Sequence, residues 1–517
     1  MANQYLMALD FGTGAGRCFI IDVEGRQVTS AYHEWSYEQP PDAQPGGFEF
    51  DADLFWRVLG QTAQEAIAKA GINPAQIVAV SSTSQREGIV LLDKEGREIY
   101  AGPNRDLRAW REGVELSQTH GQRMYELSGH WPNGIFAPAR LLWLRKHRPQ
   151  VYNQIHRLLM INDWVLYRLS GQWGCEPSNA AETCLFDITR LEWAQGLIHE
   201  LDLPEHIFPP IYQAGECIGE VTAEAATVTG LRPGTPVVVG GADTQCGVMG
   251  SGGITEGSVV AVAGTSTPVQ MVLGEPLIDS QARTWTGPHV LSDKWVLESN
   301  AGPTGSVLRW FRDAFCDAEQ VMTGAVELNA YDLMVEEAKR SPIGSNGVLA
   351  FMGPGVMNAR QLLLSPFSLG GFLVLSPRSL LADKHSKRHF IRAILESLAF
   401  AIRGNCEQIQ EISGRQIERL VVCGGSTASA FWVQMLADVM RIPVIVSKIR
   451  EATALGCAIC AGVGAGIFPD LVSGVEVLGG TGKGIEPRLE ASKRYEAAYE
   501  MWTILRQRLA QWSTAIK

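Results

Sequence analysis

Leu6-Met-Ala-Leu-Asp10-Phe-Gly-Thr-Gly-Ala-Gly-Arg17 stands near the start of the chain, and an apolar run over 18–23 follows it. Roughly half a chain later, Ser258-Val-Val-Ala-Val-Ala-Gly264-Thr-Ser-Thr267 leads into Pro-Val-Gln-Met-Val-Leu. In both places a β-branched or apolar run enters a small Gly/Thr loop, and a second apolar run leaves it. A strand–loop–strand rich in glycine lets backbone N–H groups crowd round an anion. Two such loops predict a nucleotide's phosphates held between two related domains. Two ordinary hairpins are the plainer alternative for either loop alone; the repeat, and Asp10 at the first loop's mouth, favour the nucleotide.

Other glycine-loop chemistries fail on context. A phosphate-binding Walker loop ends in Gly-Lys-Ser/Thr and opens a helix, and a dinucleotide fingerprint also opens a helix. Here Arg17-Cys-Phe-Ile-Ile-Asp-Val-Glu-Gly25 alternates like a strand and ends in a turn signal.

The 517 residues suggest two to four domains, and 46% hydrophobic with 19% charged residues is ordinary for a globular enzyme. A net charge of −11 without a Lys/Arg block argues against nucleic acid and anionic membrane as partners. The first residues lack a basic segment, and 6–9 is too short for a signal sequence. The most apolar stretch, 452–468, is interrupted by glycines and is too short to span a bilayer. Ten cysteines show no framework spacing. Cys457-x-x-Cys460, the tightest pair, lies in an Ala/Gly-rich helical segment and reads as buried small hydrophobes, not as a redox or zinc site. The chain reads as reduced and cytoplasmic.

The first half alternates strands (5–10, 17–23, 77–82, 88–93 and 235–243) with helices (51–70, 137–147 and 160–170). A domain border falls near 250–258, where Gly and Ser crowd together, dividing the chain into 1–253 and 254–517. Beyond it, helices are expected at 303–315, 387–411 and 430–440, a buried strand at 419–423 runs into Gly424-Gly425-Ser426, and a final helix at 490–516 packs back on the body. Alternation of this kind implies α/β layers.

Several residues have the chemistry for a site. Asp243 ends a buried strand, where a carboxylate can take a proton from an attacking hydroxyl; a helix N-cap is an equal alternative. Gln85-Arg86-Glu87 offers donors and acceptors for neighbouring hydroxyls, or is a solvated loop. Asp106-x-Arg108 reads as a structural ion pair. His385 and His389 have i,i+4 spacing in what reads as a basic surface helix (Lys384, Lys387, Arg388), but without a third ligand they make a poor metal site.

Together these residues resemble the FGGY carbohydrate kinases, within the actin/hexokinase/heat-shock ATPase superfamily. The resemblance runs from Tyr5 to about Phe468. It rests on Asp10-Phe-Gly-Thr-Gly-Ala-Gly-Arg17, Gly240-Gly-Ala-Asp243, Gly264-Thr-Ser-Thr267 and Gly424-Gly425-Ser426 in the family's order. The blocks 177–187 and 308–313 are also family-like. Within the family the likeness is to the autoinducer-2 kinase and xylulose kinase branch; Arg86-Glu-Gly-Ile-Val-Leu, 309–316, 451–459 and 462–468 resemble the autoinducer-2 kinases.

The resemblance implies two ribonuclease H-like domains facing each other across a cleft, with ATP and Mg²⁺ bound there. Asp243 would be the general base and Asp10 the Mg²⁺ position. ATP contacts would come from Gly12, Thr13, Gly14, Arg17, Gly264, Thr265, Gly305, Gly424, Gly425 and Ser426. Arg86, Glu87 and Gln245 would hold a small sugar or sugar-like ketone, best read as autoinducer-2 (dihydroxy-pentanedione), with xylulose or another polyol as the alternative. Family members are often dimers, so the resemblance also admits a homodimer. A catalytically idle nucleotide-gated regulator and a protein-directed ATPase are the competing classes; retention of both Asp10 and Asp243 argues against the first.

Overall fold

The computed structural model describes residues 4–323, 329–362, 369–375 and 385–515. Its first half is built on the strands β1 (Tyr5–Phe11), β2 (Ala15–Asp22), β3 (Gln27–Glu34), β4 (Ile77–Ser84) and β5 (Pro236–Ala242). β1 pairs antiparallel with β2 and parallel with β4, β2 pairs antiparallel with β3, and β5 lies parallel beside β4. Strand Cys217–Glu220 closes the β5 edge. Every residue of β1 is buried, the pattern of a central strand covered on both faces.

The second half repeats that plan. β6 (Val259–Val262) pairs antiparallel with β7 (Pro268–Leu273) and parallel with β9 (Leu420–Cys423). β7 continues to β8 (Trp295–Asn300), and β9 to β10 (Val444–Ser447). Each loop noted in the sequence therefore joins the first and second strands of one sheet. Two ribonuclease H-like sheets, with additional edge strands Trp285–Pro288 and Thr481–Ile485 on the second, make up the frame.

Helices follow local signals. In α1 (Ala52–Ala70), Asp51 accepts a hydrogen bond from the Leu54 N–H, and Gly71, at φ 62°, ends the helix in the left-handed conformation. α2 (Asp243–Gly250) leaves β5 directly, α3 (Thr304–Phe315) follows β8, and α4 (Lys387–Ser413) crosses the second core. α5 (Ala430–Met440) is capped by Ser429, whose hydroxyl accepts from the Trp432 N–H at 3.2 Å. The last helix, α7 (Leu489–Ala515), buries Tyr495, Tyr499 and Trp502 in that same core, so it packs back on the body as expected.

One helix departs from chain order. α6 (Ala452–Gly464) belongs by sequence to the second half, yet its residues form one apolar cluster with Leu6 and Ala8 of β1, Phe19 of β2 and Val238 of β5. It lies against α2 through small residues: a side chain on Gly456 would strike the Cys246 carbonyl, and one on Gly250 the Ala452 carbonyl. Cys457 and Cys460 are buried in this cluster as small hydrophobes. The expected helix over 160–170 begins one residue later, at Ile161, because Met160 completes strand Arg157–Met160.

Candidate active site

Both glycine loops sit at the ends of central strands. In the first, the Gly12 N–H donates to the Ala15 carbonyl at 3.0 Å, closing the turn, and Thr13 meets Asn104. Gly14 and Arg17 are exposed. Asp10, one residue before the strand ends, is buried and accepts from Arg17 Nη1 at 3.3 Å. Burial raises its pKa, Arg17 opposes that, and the Glu451 carboxylate adds to it.

In the second loop Gly264, Thr265 and Ser266 are exposed. Two separated segments converge on it. The Ser306 N–H, in the first turn of α3, donates to the Thr265 carbonyl at 3.2 Å. Gly305 lies so close to Gly264 that any side chain there would hit its carbonyl. Gly424, at φ 91° past the end of β9, lies beside Ala263, and the Ser426 N–H donates to the Ala263 carbonyl at 3.3 Å. Gly425 faces open space. The fold thus gathers Gly264, Thr265, Gly305, Gly424 and Ser426 beside the N-terminus of a helix, the arrangement that suits phosphate.

Asp243 is the first residue of α2. Its Oδ1 accepts from the adjacent Thr244 N–H at 2.7 Å, and the cap position, Ala242, makes no side-chain cap bond. The N-cap alternative is therefore not what the carboxylate does here. Burial pushes its pKa up to about 7; Arg86 works against this, and Asp10 and Glu182 add to it. The Thr453 hydroxyl of α6 donates to the Asp243 carbonyl at 3.2 Å, tying the helix crossing to this residue.

Gln85-Arg86-Glu87 is no solvated loop: Arg86 and Glu87 are 8% and 6% exposed. Arg86 Nη1 donates to Glu298 Oε2 at 2.7 Å and Glu182 Oε1 at 3.1 Å, and Nη2 donates to Glu298 Oε1 at 2.9 Å. Its guanidinium also lies over the Trp285 ring, 5.5 Å from the centroid. Glu87 sits at φ 58°, a strained conformation for a non-glycine residue that often marks a functional position. Burial raises its pKa; Arg86 opposes this, while Glu182 and Asp243 add to it. Gln85 is a scaffold group, donating to Tyr37 Oη at 2.9 Å and accepting from the Asn104 N–H at 3.1 Å. Gln245 is buried and accepts from the Thr244 hydroxyl at 2.6 Å.

The other sequence candidates are structural. Arg108 Nε donates to Asp106 Oδ2 at 2.8 Å in a fully buried pair. His385 precedes α4 instead of lying in it; its Nε2 meets the Asn346 carbonyl at 3.0 Å, while His389 Nδ1 accepts from the Ser386 N–H at 3.0 Å. Lys384 lies outside the described residues. Among the described residues no group of three or more metal-ligating side chains is assembled.

Sequence reasoning missed Glu182 and Glu298 as site groups, together with Gln270, which donates to Glu298 Oε2 at 2.6 Å, His130, whose Nε2 lies 3.4 Å from Glu182 Oε2, and Trp285 under the Arg86 guanidinium. A signal existed: Trp295-Val-Leu-Glu298-Ser-Asn places a glutamate inside an otherwise strand-forming run, and a carboxylate buried in a sheet needs a partner.

Two sheets of one topology, with glycine loops at corresponding strand ends and a cluster of buried charges between them, define a two-domain phosphotransferase of the actin/hexokinase type. Comparison with known proteins agrees. The model of the FGGY family of carbohydrate kinases matches with its N-terminal domain over residues 5–250 and its C-terminal domain over residues 259–465. An autoinducer-2 kinase of Enterobacter sp. (strain 638) is 37% identical over 503 residues, covering 96% of this chain and 93% of that protein. Among solved structures, the gluconate kinase of Lactobacillus acidophilus has a TM-score of 0.84 at 20% identity, covering 100% of both chains. The xylulose kinase of the same organism also has a TM-score of 0.84, at 21% identity, over 99% of this chain and 100% of that one. The chain belongs to the FGGY family of carbohydrate kinases, and its activity is ATP-dependent phosphoryl transfer to a sugar-like hydroxyl.

Proposed function

We propose that this kinase phosphorylates a small, uncharged, roughly pentose-sized polyhydroxylated ketone, best read as autoinducer-2 (dihydroxy-pentanedione). The curated relative of that name supports this reading. The observation that carries the chemistry is the charge cluster round Asp243. Arg86 is held by Glu182 and Glu298, with Glu87 and Asp10 within electrostatic reach. Carboxylates outnumber cations there, which disfavours a sugar acid and leaves a neutral polyol as the fitting acceptor. A gluconate-type substrate therefore does not follow from the shared fold.

In this reading Asp243 takes the proton from a terminal hydroxyl as its oxygen attacks the γ-phosphorus. The new P–O bond forms as the bond to the β-phosphate bridging oxygen breaks, and ADP leaves. Arg86 and Gln245 hold the acceptor's hydroxyls. Glu87, whose pKa burial raises, contacts one of them as well. The nucleotide's phosphates rest on Gly12, Thr13, Gly14 and Arg17 from one half and Gly264, Thr265 and Gly305 from the other, with the adenosine beside Gly424, Gly425 and Ser426.

Mg²⁺ fits this donor set. Asp10 is buried with Glu451 and Asp243 in reach, an excess of negative charge that a cation relieves. Magnesium commonly takes one or two carboxylates plus phosphates and waters, not an all-protein cage. Asp10 would hold it, and bound there it neutralises charge on the phosphates.

The chain is inferred to act in the cytoplasm: its ten cysteines are free thiols, all but Cys217 buried. No helix among the described residues is long and apolar enough to cross a membrane.

The test is an ATP-depletion screen with Mg²⁺ over dihydroxy-pentanedione, D- and L-xylulose, ribulose, erythritol, glycerol and gluconate. Highest kcat/KM on dihydroxy-pentanedione is expected. Preference for xylulose would make this a pentulose kinase, and preference for gluconate would overturn the charge argument.

A further inference from the structure

Arg86, the proposed acceptor contact, has a partner in the opposite half of the molecule. Glu298 stands in the middle of β8, 2% exposed. Its Oε1 accepts from Arg86 Nη2 at 2.9 Å and from Asn300 Nδ2 at 3.2 Å. Its Oε2 accepts from Arg86 Nη1 at 2.7 Å and from Gln270 Nε2 at 2.6 Å. Each carboxylate oxygen thus has two donors, its full lone-pair capacity. Glu298 has nothing left to offer a substrate, so direct contact is not its role.

What it does offer is geometry. A bidentate carboxylate sets the plane of a guanidinium as well as its position. With Glu182 taking the other Nη1 hydrogen, Arg86 keeps its Nε–H and one Nη2–H for another acceptor. Gln270 faces Glu298 across the β7–β8 ladder and reaches on to Thr244 Oγ1 at 3.4 Å, next to Gln245. Gln270 lies on the strand that leaves the Gly264–Thr267 loop. One short strand thereby joins the second glycine loop to the groups around Asp243.

We propose that Glu298, backed by Gln270 and Asn300, is a positioning residue for the acceptor: from the second half it fixes the Arg86 guanidinium, so acceptor recognition depends on both halves. The inference rests on the acceptor-site reading of Arg86, and the experiment separates the two.

The experiment is a kinetic double-mutant cycle of Glu298→Gln and Arg86→Lys. Acceptor KM, ATP KM and kcat are measured with dihydroxy-pentanedione and, in parallel, D-xylulose, and each variant's melting temperature is recorded. Glu298→Gln is expected to raise acceptor KM about tenfold while ATP KM stays within about twofold, because the change removes binding of one substrate only. In the Arg86→Lys background the same change is expected to add little, the non-additivity of groups acting through one another. An equal rise of acceptor KM in both backgrounds would overturn the inference, as would a parallel rise in both KM values. Unchanged acceptor KM in Arg86→Lys alone would instead overturn the acceptor-site reading, and the inference with it. Gln270→Met, which removes one donor to Glu298 and leaves the ion pair, is expected to shift acceptor KM the same way by a smaller factor. It carries the test if Glu298→Gln fails to fold, and no shift in acceptor KM there would overturn the inference.

Discussion

At the residue scale, Asp243 illustrates how position becomes chemistry. Burial raises its pKa to about 7, while Arg86 holds it down. Below that pH the carboxyl carries the proton it has to accept, so kcat/KM should rise with pH through a midpoint near 7. Arg86 favours the ionised form, and its removal should move the midpoint upward. A pH–rate profile of the parent and of Arg86→Gln checks both signs; a flat profile between pH 6 and 8 would exclude Asp243 as the base. Asp243→Asn should lower kcat by about 10²–10⁴-fold, the usual worth of general-base catalysis. Calorimetry should show a non-hydrolysable ATP analogue binding as tightly as before.

At the element scale, the contact between α2 and α6 depends on absent side chains. Gly456 lies against the Cys246 carbonyl and Gly250 against that of Ala452. Backbone cannot retreat as a flexible side chain can. Gly456→Val should therefore destabilise the protein by about 1–3 kcal/mol, the usual cost of overpacking, read by urea unfolding. Because α2 begins at Asp243, the remaining folded enzyme should also lose turnover. Gly305 makes the matching case in the second half, since a side chain there meets Gly264. Gly305→Val should raise ATP KM by about tenfold or more, a loss of roughly 1.4 kcal/mol in binding, while acceptor KM moves less. Both glycines look alike in the sequence; only the packing distinguishes them.

At the scale of the whole molecule, the chain folds as two copies of one sheet plan, and a helix from beyond residue 253 covers the first of them. α6 supplies one cover of the first sheet, contributing Leu455, Cys457, Ala458 and Ile459 to a cluster with Leu6, Ala8 and Ala79. A fragment of residues 1–253 should expose that apolar face and aggregate, and adding residues 449–479 as a second chain should restore solubility; light scattering distinguishes the two. A soluble, monomeric 1–253 fragment would show that the face needs no cover.

What could be read from the sequence was whatever is carried by neighbours in the chain. Strand, glycine loop and returning strand are contiguous, so both loops, the helix over 430–440 and the exit of Asp243 from its strand follow from periodicity and turn chemistry. Motif order was enough to place the chain among the FGGY kinases. The surroundings of Arg86 were not legible in this way. Its partners Glu182 and Glu298 are about 100 and 200 positions away, and α6 crosses to a sheet whose strands end before residue 243. Pairings over such distances are set by which apolar faces bury one another and by the need of every buried charge for a partner. Local sequence therefore determined the elements and their chemistry, while the tertiary structure alone decided which charges meet around Arg86 and Asp243.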